Sequence, residues 1–235
     1  MTVSVERRGA HAILWIDNPP VNATSQAVRA VLVAALEEVS ADEGLEGAVL
    51  ACRGRTFIAG ADVKEFGRPP EPPHLPDVVA AIEACPKPIV AAIHGTALGG
   101  GLEVALGCHG RVMARSAKAG LPEVTLGLIP GAGGTQRLPR LIGLVEAARM
   151  ITTGKPIGAA KAEAIGLVDA VSADEALIDT ALALLPTLTA ADRRLSAREL
   201  PAFDAREWEG LVGETRKRAR GQIAPVKALE ALEAA

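Results

Sequence analysis

Tyrosine is absent from the chain, and phenylalanine and tryptophan contribute only three and two residues. A core without aromatic clusters must be filled by small aliphatics, which lets helices and strands approach closely. No run of about 18 apolar residues is present to span a membrane. The opening residues Met1-Thr2-Val3-Ser4-Val5-Glu6 carry no basic leader ahead of an apolar stretch. A soluble cytoplasmic protein is expected. The three cysteines, Cys52, Cys85 and Cys108, are far apart and form no CxxC pair, so reduced, ordinary thiols are expected. A net charge of −3 leaves no basic footprint for nucleic acid. The single basic run, Arg216, Lys217, Arg218 and Arg220, lies among acidic neighbours and reads as a solvated helix face. There is no GxxxxGK[ST] and no GxSxG, and Gly131-Ala132-Gly133-Gly134 is not GxGxxG. These absences exclude a P-loop, a serine-hydrolase elbow and a dinucleotide site. His94 and His109 have no partners at metal spacing and read as packing or hydrogen-bonding residues.

What is present suits one sizeable domain: 235 residues, 49% of them apolar. Val3 to Arg8 and Ala10 to Ile16 read as a hairpin turning at Gly9. Val28, Val31, Leu32, Ala35, Leu36 and Val39 form one apolar helical stripe. Ala48 to Ala51 and Pro88 to Ile93 are apolar runs of buried-strand type. Between them lie a glycine-containing loop from Arg53 to Gly67, a proline-rich loop from Arg68 to Pro76 and a helix over Val78 to Ala84. Leu98 to Leu106 is expected to be a helix opened by three glycines, and Arg111 to Ala114 a strand. Further on, a helix over Ile157 to Ile165 stops at Gly166, and Leu167 to Val171 forms a strand. Ser172-Ala173-Asp174-Glu175 has capping-box spacing for the next helix. Pro186 to Pro201 lacks periodicity and reads as a linker. Helices are expected over Asp204 to Arg220 and Ala224 to Ala234. Alternating short strands and helices predict an α/β fold. Residues 1–185 are taken as the core, and 186–235 as linker and C-terminal helices.

Three segments could carry chemistry. Phe57-Ile58-Ala59-Gly60-Ala61-Asp62-Val63-Lys64 follows a buried strand and has small residues at its centre, where a ligand can approach backbone N–H groups; an ordinary surface turn explains it as well. Leu98-Gly99-Gly100-Gly101-Leu102-Glu103 exposes N–H groups at a helix start. Glu103 suits the dipole there and could be purely structural. Glu123 lies in a mostly apolar stretch ahead of Gly127-Leu128-Ile129-Pro130-Gly131-Ala132-Gly133-Gly134. If buried, its carboxyl would be shifted upward and would suit proton donation; a plain loop is the alternative.

Taken together the segments identify a family. Ile89 to Gly95 followed by Ala97 to Glu103 resembles the signature of the crotonase, or enoyl-CoA hydratase/isomerase, family. Phe57 to Lys64 is similar to its first oxyanion loop, and Leu121 to Pro139 to its second acidic motif. The likeness spans roughly residues 10 to 172. Asn18-Pro19-Pro20-Val21-Asn22-Ala23, with Leu102 to His109, is most similar to the N-terminal part of bifunctional hydratase/3-hydroxyacyl-CoA dehydrogenase enzymes. The tail from Arg218 to Ala235 resembles their connecting segment. A dehydrogenase half is not seen, so a piece of such an enzyme or a short stand-alone relative is expected.

The resemblance implies a crotonase-like spiral of ββα units with C-terminal helices. It implies an oxyanion hole from the N–H groups of Ala61 and Gly100. Glu103 would activate water, Glu123 would deliver a proton to Cα, and Gly131 would support the water through its backbone. Ala59, Asp62 and Lys64 would bind the adenine and phosphate end of CoA. The implied reaction is hydration of a 2-enoyl-CoA in β-oxidation, with isomerisation of 3-enoyl to 2-enoyl thioesters as a second activity. It needs no metal or bound cofactor, and coenzyme A enters as the substrate thioester. A homotrimer, or a fused or associated 3-hydroxyacyl-CoA dehydrogenase, is the expected assembly. The competing readings are another CoA-thioester reaction, such as hydrolysis or decarboxylation, and a non-catalytic acyl-CoA-binding module.

Overall fold

A computed structural model describes residues 2–60, 62, 65, 67 and 69–235. The chain opens with the expected hairpin, β1 (Val3–Arg8) and β2 (His11–Ile16). Helix α1 (Gln26–Ala41) follows, with Ser25 as its N-cap and the expected stripe buried except for Val31, which is partly so. Three strand-and-helix passages come next. They are β3 (Gly47–Cys52) with α2 (Leu75–Ala84), then β4 (Ile89–Ile93), β5 (Thr96–Leu98) and α3 (Gly100–Gly107). The third is β6 (Gly110–Ala114) and β7 (Lys118–Gly120) with α4 (Gly134–Ile142) and α5 (Leu144–Thr153).

The first strand of each passage joins a six-stranded sheet whose last strand is β9 (Ala170–Ser172), of order β1-β2-β3-β4-β6-β9 and parallel except for the β1–β2 hairpin. The second joins a small sheet completed by β8 (Ile157–Gly158), of order β5-β7-β8. In the first passage that role falls to Ala59, which forms a parallel bridge to Leu98. Large-sheet strand, small-sheet strand, helix is the repeating unit, so the chain climbs as ββα turns. β3, β4 and β6 are buried along their whole length, as expected for parallel strands covered on both faces.

The C-terminal part is β8 (Ile157–Gly158), α6 (Ala159–Ala164), β9 (Ala170–Ser172), α7 (Leu177–Leu184), α8 (Ala205–Ala219) and α9 (Ala224–Glu233). Asp204 caps α8 by accepting from the N–H groups of Arg206 and Glu207. Arg216, Lys217, Arg218 and Arg220 are exposed, as the charge pattern implies. Among the described residues no helix is long and apolar enough to cross a membrane.

Several expectations shift. Leu98 ends a strand rather than starting a helix, because its N–H donates to Ile58 O at 3.0 Å and ties the two loops together. Ile157 pairs with Ala119 in the small sheet, so α6 begins only at Ala159. The strand expected at Leu167 starts at Ala170. Ser172 caps no helix: its hydroxyl donates to Ala173 O, and a 3₁₀ turn over Asp174–Ala176 precedes α7. The proline-rich loop ends earlier than Pro76, since Pro76 lies in the first turn of α2, where its missing N–H is harmless. α4 and α5 fill a stretch in which periodicity assigned nothing. The Pro186 to Pro201 segment contains 3₁₀ turns and is held against the core: Leu195 is fully buried.

Candidate active site

The loop after β3 is fixed from below. Asn22 has a left-handed backbone (φ 53°), which asparagine tolerates better than most residues. Its Nδ2 donates to Arg53 O at 2.8 Å and to Thr56 O at 2.9 Å, while its Oδ1 accepts from Asn18 N–H at 2.8 Å. The Asn18 to Ala23 segment is therefore a brace for the loop. Phe57 and Ile58 are fully buried. Beyond them the Ala59 N–H donates to Val21 O at 3.1 Å, and Thr24 N–H to Gly60 O at 3.2 Å. Ala61 and Lys64, both singled out in the sequence, lie outside the described residues. Asp62 is half-buried, and its carbonyl accepts from Glu65 N–H at 3.0 Å.

The three glycines after β5 do different things. Gly99 has φ 55° and caps α3; its N–H donates to Gly120 O at 2.9 Å. Gly100 is the first residue of the helix, so its N–H has no acceptor within the helix. Gly101 exists for packing: a Cβ there would lie 2.0 Å from Ile58 O. One turn along, Glu103 is buried at 3% exposure. Its Oε1 accepts from Ala132 N–H at 2.7 Å and Gly134 N–H at 2.8 Å. Gly134 is the first residue of α4, so Glu103 lies against the positive end of that helix. Burial pushes its carboxyl up, and the two N–H donors and Arg137 oppose the shift without cancelling it.

Glu123 opens a 3₁₀ turn over Glu123–Leu126. Burial raises its carboxyl to about 7, with the charge of nearby Glu103 adding to the rise. Its Oε2 is buried without a hydrogen-bond partner among the described residues. The two acids thus differ. Glu103 has donors that stabilise its charged form, whereas Glu123 has an oxygen that favours the neutral one.

Both acids open into a cavity of about 450 Å³. Ala59, Gly100 and Gly131 line it as well, together with apolar walls from Leu75, Pro76, Leu98, Leu126 and Leu128. Five of the sequence-selected residues, Ala59, Gly100, Glu103, Glu123 and Gly131, therefore meet around one space. Two carboxyls in one apolar pocket can accept a proton on one side and supply one on the other when one is ionised and the other neutral. A helix-start N–H at its edge can receive developing negative charge. Among the described residues no three His, Cys, Asp or Glu side chains gather as a metal site. His109 is buried and structural: Nδ1 accepts from Ile89 N–H at 2.9 Å, and Nε2 donates to Glu83 O at 3.2 Å.

Sequence reasoning missed Glu83, Arg137 and the N–H donors of Ala132 and Gly134. A signal existed for Glu83, a carboxylate on the apolar face of α2 beside the buried Val79 and Ile82. The hydrogen bonds to Glu103 run from 29 and 31 residues away, and no local pattern foretells them.

Residues 6–209 match the enoyl-CoA hydratase/isomerase family. The chain is 42% identical over 232 residues to a peroxisomal bifunctional enzyme of Danio rerio, a match covering 95% of this chain and 32% of that protein. It therefore spans about a third of the length of that relative. It is 46% identical over 181 residues to a probable enoyl-CoA hydratase of Bacillus subtilis (strain 168), covering 74% of this chain and 70% of the relative. The fold is similar to the crystal structure of enoyl-CoA hydratase from Bacillus anthracis: TM-score 0.75, 30% identity, covering 100% of this chain and 89% of that one.

Proposed function

Because this chain belongs to the enoyl-CoA hydratase/isomerase family, we propose that it adds water across the double bond of a 2-enoyl-CoA in fatty-acid β-oxidation, giving the 3-hydroxyacyl-CoA. The observation that carries this reading is the pair of carboxyls facing one apolar cavity with opposite support. Glu103 is held by two backbone N–H groups; Glu123 is raised to about 7 and has an oxygen without a partner among the described residues.

In the proposed reaction a water lies between the two acids, with Gly131 supporting it through its backbone. Glu103 takes a proton from the water as its oxygen bonds to Cβ of the enoyl thioester. Electron density moves to the thioester oxygen, where the N–H groups of Gly100 and Ala61 form an oxyanion hole. Glu123 then delivers its proton to Cα, so one water is added in full. Of the two, Glu103 has the better support for charge, from its two N–H donors, and Glu123, raised to about 7, is the one that holds its proton more readily. At the far end of the substrate, Ala59, Asp62 and Lys64 are read as contacts for the adenine and phosphates of CoA. The N–H of Ala59 is committed to Val21 O, so its contact with an adenine runs through the carbonyl. No metal or bound cofactor has a task in this scheme.

A second activity is favoured by Glu123 alone. A carboxyl near neutrality can take a proton from C2 of a 3-enoyl thioester and return it at C4, which gives the 2-enoyl isomer. For the assembly, Leu126 and Leu128 are 72% and 50% exposed at the cavity mouth, an apolar surface suited to an acyl chain or a second copy within a trimer.

The test is incubation with crotonyl-CoA, with and without a chelator, followed by mass analysis. A product heavier by one water, formed equally with chelator present, is expected. Release of free CoA would assign a hydrolase instead, and unchanged crotonyl-CoA beside CO₂ release from a carboxyacyl-CoA supplied in parallel would assign a decarboxylase. Binding of the thioester by folded protein without turnover would assign a binding module.

A further inference from the structure

We propose that Arg137 is a positioning residue which, clamped by Glu83, fixes the Ala132 backbone so that Glu103 is held ready to take a proton from water. The proton transfer rests on the hydratase reading above; the geometry does not.

Arg137 belongs to the first turns of α4, where a cation opposes the helix dipole. Its side chain folds back towards the start of that helix. Nη2 pairs with Glu83 Oε2 at 2.8 Å, with side-chain exposures of only 12% and 6%. Nη1 lies 3.4 Å from Ala132 O, a long hydrogen bond. The Ala132 N–H is the donor to Glu103 at 2.7 Å. Ala132 is thus gripped on both sides, by the carboxylate at its N–H and by the guanidinium at its carbonyl. Gly133, next in the chain, leaves the room this needs: a Cβ there would lie 2.0 Å from Arg137 Nη1.

The arrangement is costly to keep. Arg137 Nε is buried without a hydrogen-bond partner among the described residues, and such an orphan donor is destabilising. An apolar side chain would fill the same space without that penalty. Glu83 is itself built in. Its Oε1 accepts from Ser196 N–H at 2.8 Å. Burial opposes its charge, but Arg137 and Ser196 outweigh burial and hold the carboxyl below its usual range. The charged groups that reach Glu103 are Glu123, which disfavours a second negative charge, and Arg137, which favours it. Beyond Glu83 lie Arg194, with Nη2 on Ala84 O, and His109, whose hydrogen bonds fit a neutral ring. Arg137 is therefore the cation that adds to the support of the charged Glu103, after its two N–H donors, while its clamp sets the position.

The experiment compares the intact chain with Arg137→Gln and Arg137→Lys. The Glu103 carboxyl is followed by ¹³C NMR titration, assigned with Glu103→Gln, alongside kcat and KM for crotonyl-CoA across pH. Arg137→Gln is expected to move the Glu103 titration and the acid limb of the rate profile to higher pH. It should lower kcat by roughly ten- to a hundredfold, the scale of a small misplacement, with KM little changed. Arg137→Lys, which retains the cation but not the fork, is expected to keep the titration near that of the parent and recover part of kcat. An unmoved titration in folded Arg137→Gln overturns the proposal. If Arg137→Gln does not fold, Arg137→Lys and Glu83→Gln carry the test: parental kcat in both overturns the proposal, and a loss of kcat at constant KM supports it. A Glu103 titration that shifts as expected in a chain without enoyl turnover would refute the hydratase reading and leave the clamp standing.

Discussion

Glu103 and Glu123 are the same residue type in the same cavity, and what touches their oxygens separates them. Under the proposed mechanism Glu103→Gln should remove hydration and spare isomerisation more, because water activation needs both acids and the shuttle needs one. Glu123→Gln should remove both. Steady-state assays with 2-enoyl and 3-enoyl thioesters check this, and losses of about two to four orders of magnitude are expected for a missing acid or base. Equal damage to both reactions from both substitutions would contradict the roles. Because Glu123 must carry its proton to act as an acid, hydration should decline as pH rises through about 7. Stability has the matching sign. The folded carboxyl is raised above the value near 4.3 of an unfolded glutamate, so the native state binds more protons across that window. Stability is lost as pH rises from about 4.3 through about 7. Glu123→Gln removes this loss, so its Tm should gain on that of the parent between pH 5 and pH 8; a constant difference would mean that Glu123 is not desolvated. Both acids were legible in the sequence, one from a glycine-rich helix start and one from an apolar setting. Their distinction was legible only in part, since the donors to Glu103 come from Ala132 and Gly134 on another element.

At the level of elements, the stripe of α1, the start of α8 after Asp204 and the apolar runs of β3, β4 and β6 follow directly from local pattern. Those signals are periodic or lie next to the element they start, so the chain states them locally. The three-residue strands β5 and β7 and the two-residue β8 are too short to show a period, and tertiary pairing alone defines them. In the sequence the glycine run after β5 presents one feature, the exposure of N–H groups. It is three: a left-handed cap at Gly99, a helix-start N–H at Gly100 and a packing requirement at Gly101. Gly100 has limited tolerance, since a Cβ would lie 2.6 Å from Leu75 Cδ2, the movable end of a side chain. Gly101 has none, because its obstacle is Ile58 O, a backbone atom held by Leu98 N–H. Gly101→Ala should therefore destabilise the protein by about 3 kcal/mol or more, at the upper end for overpacking, and Gly100→Ala by much less. Denaturant midpoints measure both, and equal midpoints would mean that the two loops are not in contact.

For the whole molecule, the C-terminal fifty residues decide whether the ββα turns stand alone. A change of periodicity near residue 186 divides the sequence there, but the segment after it is woven into what precedes it. Ser196 N–H reaches Glu83, Arg193 Nε donates to His109 O at 2.8 Å, and the Arg193 guanidinium pairs with Asp169. Leu195 is fully buried. Helix α9 then lies across α4 and α5, with Ala228, Leu229 and Leu232 buried and Gln136 Nε2 donating to Ala231 O at 3.0 Å. Two leucines buried at about 1.5–3 kcal/mol each make α9 worth roughly 3–6 kcal/mol, a large share of the 5–15 kcal/mol that typically holds a domain together. α4 is also the helix whose first N–H holds Glu103, so stability and the candidate site are coupled through it. Ending the chain at Ile223 should lower the denaturant midpoint markedly and loosen the Ala132–Gly134 turn, with hydratase activity falling further than the folded fraction does. Ending it at Leu185 should abolish cooperative unfolding, because the faces covered by Leu195, α8 and α9 would all be exposed. A cooperative, fully active product from either truncation would show that the C-terminal helices only decorate the core.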